Sequence, residues 1–464
     1  MVARCLIVGC AVLLSIPQTV LAQQTPPEAT APPDAPVRKH YFVPFFDIAA
    51  FDFLLNRYGH AFVDRTTYDV DIASIKRNLR SPWVLDNDPF SINQFMHPYQ
   101  GSMYHGFARS AGLNYWESLG YTFTGSILWE IAGETTLPSR NDQMTTGIGG
   151  SFLGEALFRL ASLVLEQSNY RPQFLRELSA AVISPSTGFN RLAYGRRFRG
   201  GFPSREPALF TRVQFGMMGT SSVRKSLTQS VTRNEAVADF SVDYGMPGKS
   251  SYAYRRPFDY FNFQFTSSTG SRFESIFSRG LLAGRAYGEG ENHSNGVWGL
   301  YGTYDYVAPQ IFRVSSTALA LGTTAQRRIS ESRVLQSTLL AGVGWGAGGT
   351  IRGAADRDYH YGLTPQLLAA VRFIPSGKTA FDLTFRDYYV SRIASKQLRG
   401  SENFAHAEVL FSVRVRRRHA ASVKYAWSRR AASEPDLGDI IQSRGTVGLF
   451  YTYLGGTPGP WLLQ

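Results

Sequence analysis

The sequence predicts an α+β chain: an N-terminal helical domain followed by a C-terminal antiparallel transmembrane β-barrel of about 12 strands. Three observations predict it. From about residue 206 onward, short stretches alternate apolar and polar residues between clusters of Gly, Ser, Asn and Asp. Aromatic residues gather at the ends of those stretches. The chain also begins like an exported protein, and both its cysteines fall inside the export segment.

The export segment is residues 1–22. Arg4 precedes an apolar run from Cys5 to Val20, which turns polar at Ser15, Pro17, Gln18 and Thr19. Val20-Leu21-Ala22 then offers a cleavage site before Gln23, the arrangement of a secretory signal peptide. The run is too short for a membrane anchor. Loss of Cys5 and Cys10 leaves a mature chain with no disulfide and no Cys metal site. Residues 23–40 are rich in Pro and Ala and read as a linker.

Residues 41–205 do not alternate and are expected to form a helical domain, as a plug or a periplasmic cap. Asp88-Pro89 suits a helix start, and Pro98 and Gly101 would kink the helix that runs on to about Ser110. A second helix is expected over about 113–133 and a third over about 142–166. In the third, Gly150 and Gly154 leave a smooth groove for close packing.

Residues 206–464 are expected to be the barrel. In 404–416, Ala405, Ala407, Val409, Phe411, Val413 and Val415 share one face, against His406, Glu408, Ser412, Arg414 and Arg416. A strand side chain changes face at every residue, so this segment has one apolar and one charged surface. Twelve such strands are expected near 212, 240, 262, 281, 301, 318, 341, 368, 384, 410, 424 and 449. Tyr301, Tyr304 and Tyr306, Tyr388 and Tyr389, and Tyr451 and Tyr453 suggest aromatic girdles, which a soluble sandwich lacks. No segment after the signal holds 18 consecutive apolar residues, so transmembrane helices are not expected.

The run Asn93-Gln94-Phe95-Met96-His97-Pro98-Tyr99-Gln100-Gly101-Ser102-Met103-Tyr104 resembles a bacterial family of unknown function, the one numbered 3943 among such domains. Gly125-Ser126, Trp129-Glu130, Glu134, Asn141-Asp142, Gly149-Gly150 and Gly154-Glu155 carry the same resemblance, which covers roughly residues 75–165. It implies association with the outer membrane and no particular activity.

Chemistry, if present, is expected in the helical segment. His97 is a candidate general base or metal ligand. Glu130 and Glu134 stack at i,i+4 and need an offset: a cation such as Arg109 or Arg159, a metal, or a raised pKa. Ser102 and Ser126 are candidate nucleophiles, although no G-x-S-x-G elbow accompanies them. The competing reading is a structural polar network of Asn93, Arg109, Glu155 and Arg159. Metal and cofactor stay unassigned.

The net charge of +13 suits anionic lipid better than nucleic acid in an exported chain. The expected partners are outer-membrane lipid, lipopolysaccharide and the barrel-assembly machinery. The expected role is structural, transport or envelope maintenance, with a lipid- or lipopolysaccharide-directed enzyme as the alternative. The expected location is the outer membrane, with the helices periplasmic or inside the lumen.

Overall fold

The computed structural model describes residues 38–166, 173–195, 206–224, 234–249, 252–288, 294–309, 311–350, 356–391, 401–434 and 438–456. The expected signal, most of the linker and the C-terminal Trp461-Leu462-Leu463-Gln464 lie outside them. The chain divides into two compact units. One takes the described residues of Met1–Asn87 and Met96–Arg205; the other takes Asp88–Phe95 and those of Glu206–Gln464.

The second unit is a closed antiparallel barrel of twelve strands. In chain order they are β1 (Leu209–Arg224), β2 (Asn234–Tyr244), β3 (Phe261–Ser268), β4 (Ser275–Tyr287), β5 (Ser294–Val307) and β6 (Arg313–Arg328). Then follow β7 (Val334–Gly349), β8 (Tyr359–Ser376), β9 (Thr379–Val390), β10 (Ser401–Arg416), β11 (His419–Glu434) and β12 (Gly438–Gly456). Each pairs with its sequence neighbours, and β1 closes on β12 from Phe210–Gly456 to Arg224–Ser443. The even strand number returns the chain to the rim where β1 begins. That rim carries the two-residue turns at 377–378 and 417–418. β11 and β12 extend their ladder as far as Glu434 and Gly438.

Alternation decides what each face touches. Outward residues such as Leu321, Leu339, Val343, Phe411 and Leu449 are exposed, forming the apolar belt of a membrane-spanning barrel. Inward residues cross the lumen. Arg212 of β1 meets Asp382 of β9 at 3.3 Å. Arg372 of β8 pairs with that same Asp382 and reaches Asp243 of β2 at 3.0 Å. Lys424 of β11 approaches Asp239 of β2 at 3.5 Å.

Two of the barrel's apolar clusters also point inward. Tyr260, Leu281, Tyr301, Ala320 and Leu340 form one; Phe277, Val307, Phe312, Val314, Tyr388, Val390 and Phe404 form the other. Several tyrosines expected in the girdles therefore do other work. Tyr301 and Tyr388 point inward and pack in these clusters, whereas Tyr389 and Tyr451 face outward and are exposed.

Tyr304 and Tyr306 do face outward, yet residues 88–95 cover them. This strap belongs to the barrel unit although its sequence lies in the helical segment. Phe90 packs between the rings of Tyr306 and Tyr359, with the Arg313 guanidinium 5.1 Å from its ring centre. Phe95 stacks on Phe273 at 4.0 Å. The Asn93 amide donates to the hydroxyls of Tyr359 and Tyr361, each at 2.9 Å, and the Tyr304 hydroxyl donates to the Gln94 carbonyl at 2.6 Å. The outer wall of β5 and β8 thus holds a peptide segment by tilted and edge-on ring contacts and by tyrosine hydroxyls.

The first unit is helical: α1 (Phe42–Phe62), α2 (Arg65–Tyr68), α3 (Ile72–Arg80), α4 (His97–Ser110), α5 (Tyr115–Ala132), α6 (Arg140–Asp142), α7 (Gly150–Glu166), α8 (Gln173–Ile183) and α9 (Pro185–Tyr194). Asn114 caps α5 in a capping box with Glu117, and Asp71 caps α3 the same way with Ser74. The kink expected near Pro98 is a π-helical turn, Ile92–Met96, just before α4; a second, Gln143–Gly149, precedes α7. Gly150 packs on α4: a Cβ there would sit 2.6 Å from the Gly101 Cα. Arg140–Glu166 is long and apolar enough to cross a membrane, but it is mostly buried.

Candidate functional site

Many polar side chains of the helical unit turn inward. On α5, Ser118, Thr122, Ser126 and Glu130 recur every four residues, and all are buried. On α4, His97, Ser102, His105 and Arg109 are buried. Glu155 of α7 is fully buried with them. The unit therefore encloses ionisable groups, which must be paired or neutral.

Glu155 is the hub of one cluster. Its carboxylate accepts from Arg109 Nε at 2.6 Å and from Arg159 Nε at 2.8 Å, and lies 3.1 Å from His105 Nε2. Arg109 also donates to the Leu113 carbonyl and rests 4.7 Å from the centre of the Phe158 ring. Burial alone would raise the Glu155 pKa, but Arg109, the His105 hydrogen bond and Arg159 outweigh it and hold the carboxyl well below its usual range.

Glu130 sits in the opposite environment. Arg109 and Arg159, the cations expected to offset it, are both engaged by Glu155. Its Oε2 accepts from the Ser139 backbone N–H at 2.7 Å, while its buried Oε1 has no hydrogen-bond partner among the described residues. Burial, then the nearby Asp142 and Glu134 carboxylates, push its pKa well above the ordinary glutamate range. Asp142 lies 3.7 Å from His97 Nε2, and the Asn141 amide bonds both Asp142 and Asp86. The two π-helical turns bracket this His97–Asp142 pair in sequence, and π turns concentrate at functional sites.

The remaining candidates sit apart from a nucleophile–base pair. The Ser102 hydroxyl donates to the Tyr99 carbonyl at 2.6 Å. Ser126 accepts from the Gln143 amide at 2.8 Å. Glu134 is buried near Glu130. Asn93 lies in the strap with the barrel unit. Among the described residues no group of three or more His, Cys, Asp or Glu side chains is arranged to hold a metal ion. Sequence reasoning missed His105, although its spacing from Arg109 puts both on one face of α4. It also missed Asp142 as the partner of His97, for which only tertiary packing carries a signal.

The raised Glu130 pKa has a measurable consequence. The folded state binds a proton that the unfolded chain releases, so its stability is full at acid pH and falls as pH rises through the folded pKa. Glu130→Gln keeps the acceptor for Ser139 and removes the titration. Thermal unfolding followed from about pH 5 to 9 is expected to decline for the wild type and to flatten for the variant. Parallel curves would contradict a buried, protonated Glu130.

Residues 82–186 match the family model described as Domain of unknown function (DUF3943). No curated protein matches the chain. Similar solved structures include a monoaromatic hydrocarbon channel, CymD, at 7% identity and TM-score 0.20, covering 54% of this chain and 90% of that one. The COG4313 outer membrane channel from Pseudomonas putida F1 has 7% identity and TM-score 0.24, covering 54% of this chain and 96% of that one. The NanC porin has 8% identity and TM-score 0.21, covering 53% and 100%. At these TM-scores the likeness carries no weight, and the fold rests on the strand ladder itself. The chain thus matches the DUF3943 family model over residues 82–186, ahead of a closed twelve-stranded barrel with an outward apolar belt.

Proposed function

We propose that the barrel anchors this domain in the outer membrane for an envelope-maintenance role and is not an open diffusion pore. One observation carries the reading: among the described residues, charged side chains meet across the lumen and leave little space between them. Arg212, Arg372, Asp243 and Asp382 meet across it, and the cavity they line is about 80 Å³. A water molecule occupies roughly 30 Å³ of liquid volume, so this space holds a few waters and no hydrated solute. Outer-membrane lipid and lipopolysaccharide meet the outward belt, and the barrel-assembly machinery is the expected route of insertion. The purified protein in a planar bilayer is expected to give no steady conductance steps. A stable open channel in the wild type would refute the reading.

One observation favours a second reading, acid–base chemistry on lipid or lipopolysaccharide. A carboxyl group biased towards its protonated form sits in the same acidic cluster as His97 and Asp142. Strains carrying Glu130→Gln or His97→Ala should then show an altered envelope lipid profile. An unchanged profile with folded protein removes this reading.

A further inference from the structure

Helix α1 is inverted relative to a helix of a water-soluble domain. Its exposed stripe is apolar: Phe42, Phe45, Phe46, Phe53, Leu54 and Phe62 are each 50–81% exposed. Asp47, Asp52 and Asn56 point inward and hydrogen-bond there. Asp47 accepts from the Tyr194 hydroxyl at 2.6 Å, and Asp52 from the Tyr104 hydroxyl at 2.5 Å. The Asn56 amide donates to the carbonyls of Tyr68 and Gly133 at 3.0 and 2.8 Å. In water this arrangement is unfavourable on both faces. In lipid it is the expected one, because ionisable residues of a membrane helix face the bundle interior.

We infer that the exposed face of α1 is buried among the acyl chains of the membrane. The 21-residue helix is about 31 Å long at 1.5 Å per residue, close to the roughly 30 Å of a bilayer's hydrocarbon core. Its flanks are those of a helix ending at two interfaces. Before it, Lys39 and Tyr41 both bond Glu117. In its last turns stand Arg57, whose guanidinium lies 6.0 Å from the Phe53 ring centre, and His60. Beyond it, α2 and α3 present exposed Arg65, Lys76 and Arg80. From Phe42 to Leu54 the exposed stripe carries no charge, and the exposed Arg57 comes before Phe62. Transmembrane helices were not expected, because no run of 18 consecutive apolar residues follows the signal. Asp47, Asp52 and Asn56 break that run, and they are the residues turned away from the stripe.

The test uses the full chain in liposomes of outer-membrane phospholipid. Both native cysteines, Cys5 and Cys10, are first replaced by serine. Single variants Phe46→Cys, Phe53→Cys, Leu449→Cys and Arg80→Cys are then spin-labelled, and collisions with oxygen and with a water-soluble nickel chelate are compared. Residue 449 is the lipid standard on the barrel wall and residue 80 the aqueous standard. Heat-modifiable gel mobility reports folding, and either of positions 46 and 53 suffices if the other fails to fold. The expected result is an oxygen-to-nickel ratio at 46 and 53 close to that at 449 and well above that at 80. A ratio like that at 80 places the face in water and overturns the inference. Poor access of both reagents with an immobilised label means that protein covers the face, and overturns it too. If 449 itself reads as aqueous, the membrane reading of the barrel fails instead.

Discussion

Replacing Glu155 by alanine is expected to cost the helical unit about 3–5 kcal/mol, the usual result of leaving buried charges without their partner. Arg109, Arg159 and His105 converge on this one carboxylate, so the substitution leaves two guanidinium groups in a site they share only because the carboxylate is there. Glu155→Gln keeps the shape and one acceptor but not the charge, and should fall between wild type and alanine. The pH dependence runs opposite to that of Glu130. A carboxyl held below its usual range stabilises the fold above the ordinary glutamate pKa, near 4.3, and that contribution disappears as pH falls towards the depressed folded value. Chemical unfolding at acid and neutral pH, followed by helical circular dichroism, checks both parts. Equal stability of Glu155→Ala and wild type would show that the cluster contributes nothing.

Replacing Arg372 by alanine is expected to change the lumen most. The guanidinium links Asp243 on β2 with Asp382 on β9 and lies 4.3 Å from the centre of the Phe210 ring. Without it two carboxylates face each other across the barrel, with Arg212 alone to compensate one of them. The cost is about 3 kcal/mol, read as lower heat resistance of the folded band on a gel. The vacated volume also joins the existing cavity that Arg372 lines. In a planar bilayer the variant should show ion flux where the wild type shows none. A silent variant with unchanged heat resistance would mean that the lumen is closed elsewhere.

The barrel was legible because period-two alternation reports directly on which face meets lipid. Each expected strand centre falls in an observed strand, and in β10 even the exception, Leu410 among the inward polar residues, is found inside. Strand ends were less legible. Tyr301 and Tyr304 differ by three positions, so they point to opposite faces, and composition alone placed both in a girdle. Within the helical unit, the i,i+4 pair Glu155–Arg159 was readable from spacing. The choice between Glu130 and Glu155 as the partner of Arg109 was not, because it depends on how α4, α5 and α7 pack. Helix α1 escaped notice for a different reason. Its inward stripe is polar and its outward stripe apolar, so neither an unbroken apolar run nor a soluble amphipathic pattern describes it.

The strap imposes an order on biogenesis. Gln94 and Tyr304 are 210 positions apart, and Asp88 and Tyr359 are 271 apart. Secretion delivers the N-terminal part first, so Phe90, Asn93 and Phe95 emerge long before the tyrosines that receive them. These residues must wait, unpaired, until β5 and β8 exist. Closing so long a loop is entropically slow, which makes strap docking a late event. Its completion reports that at least eight strands have been delivered, so the segment can serve as a checkpoint on a nearly finished barrel.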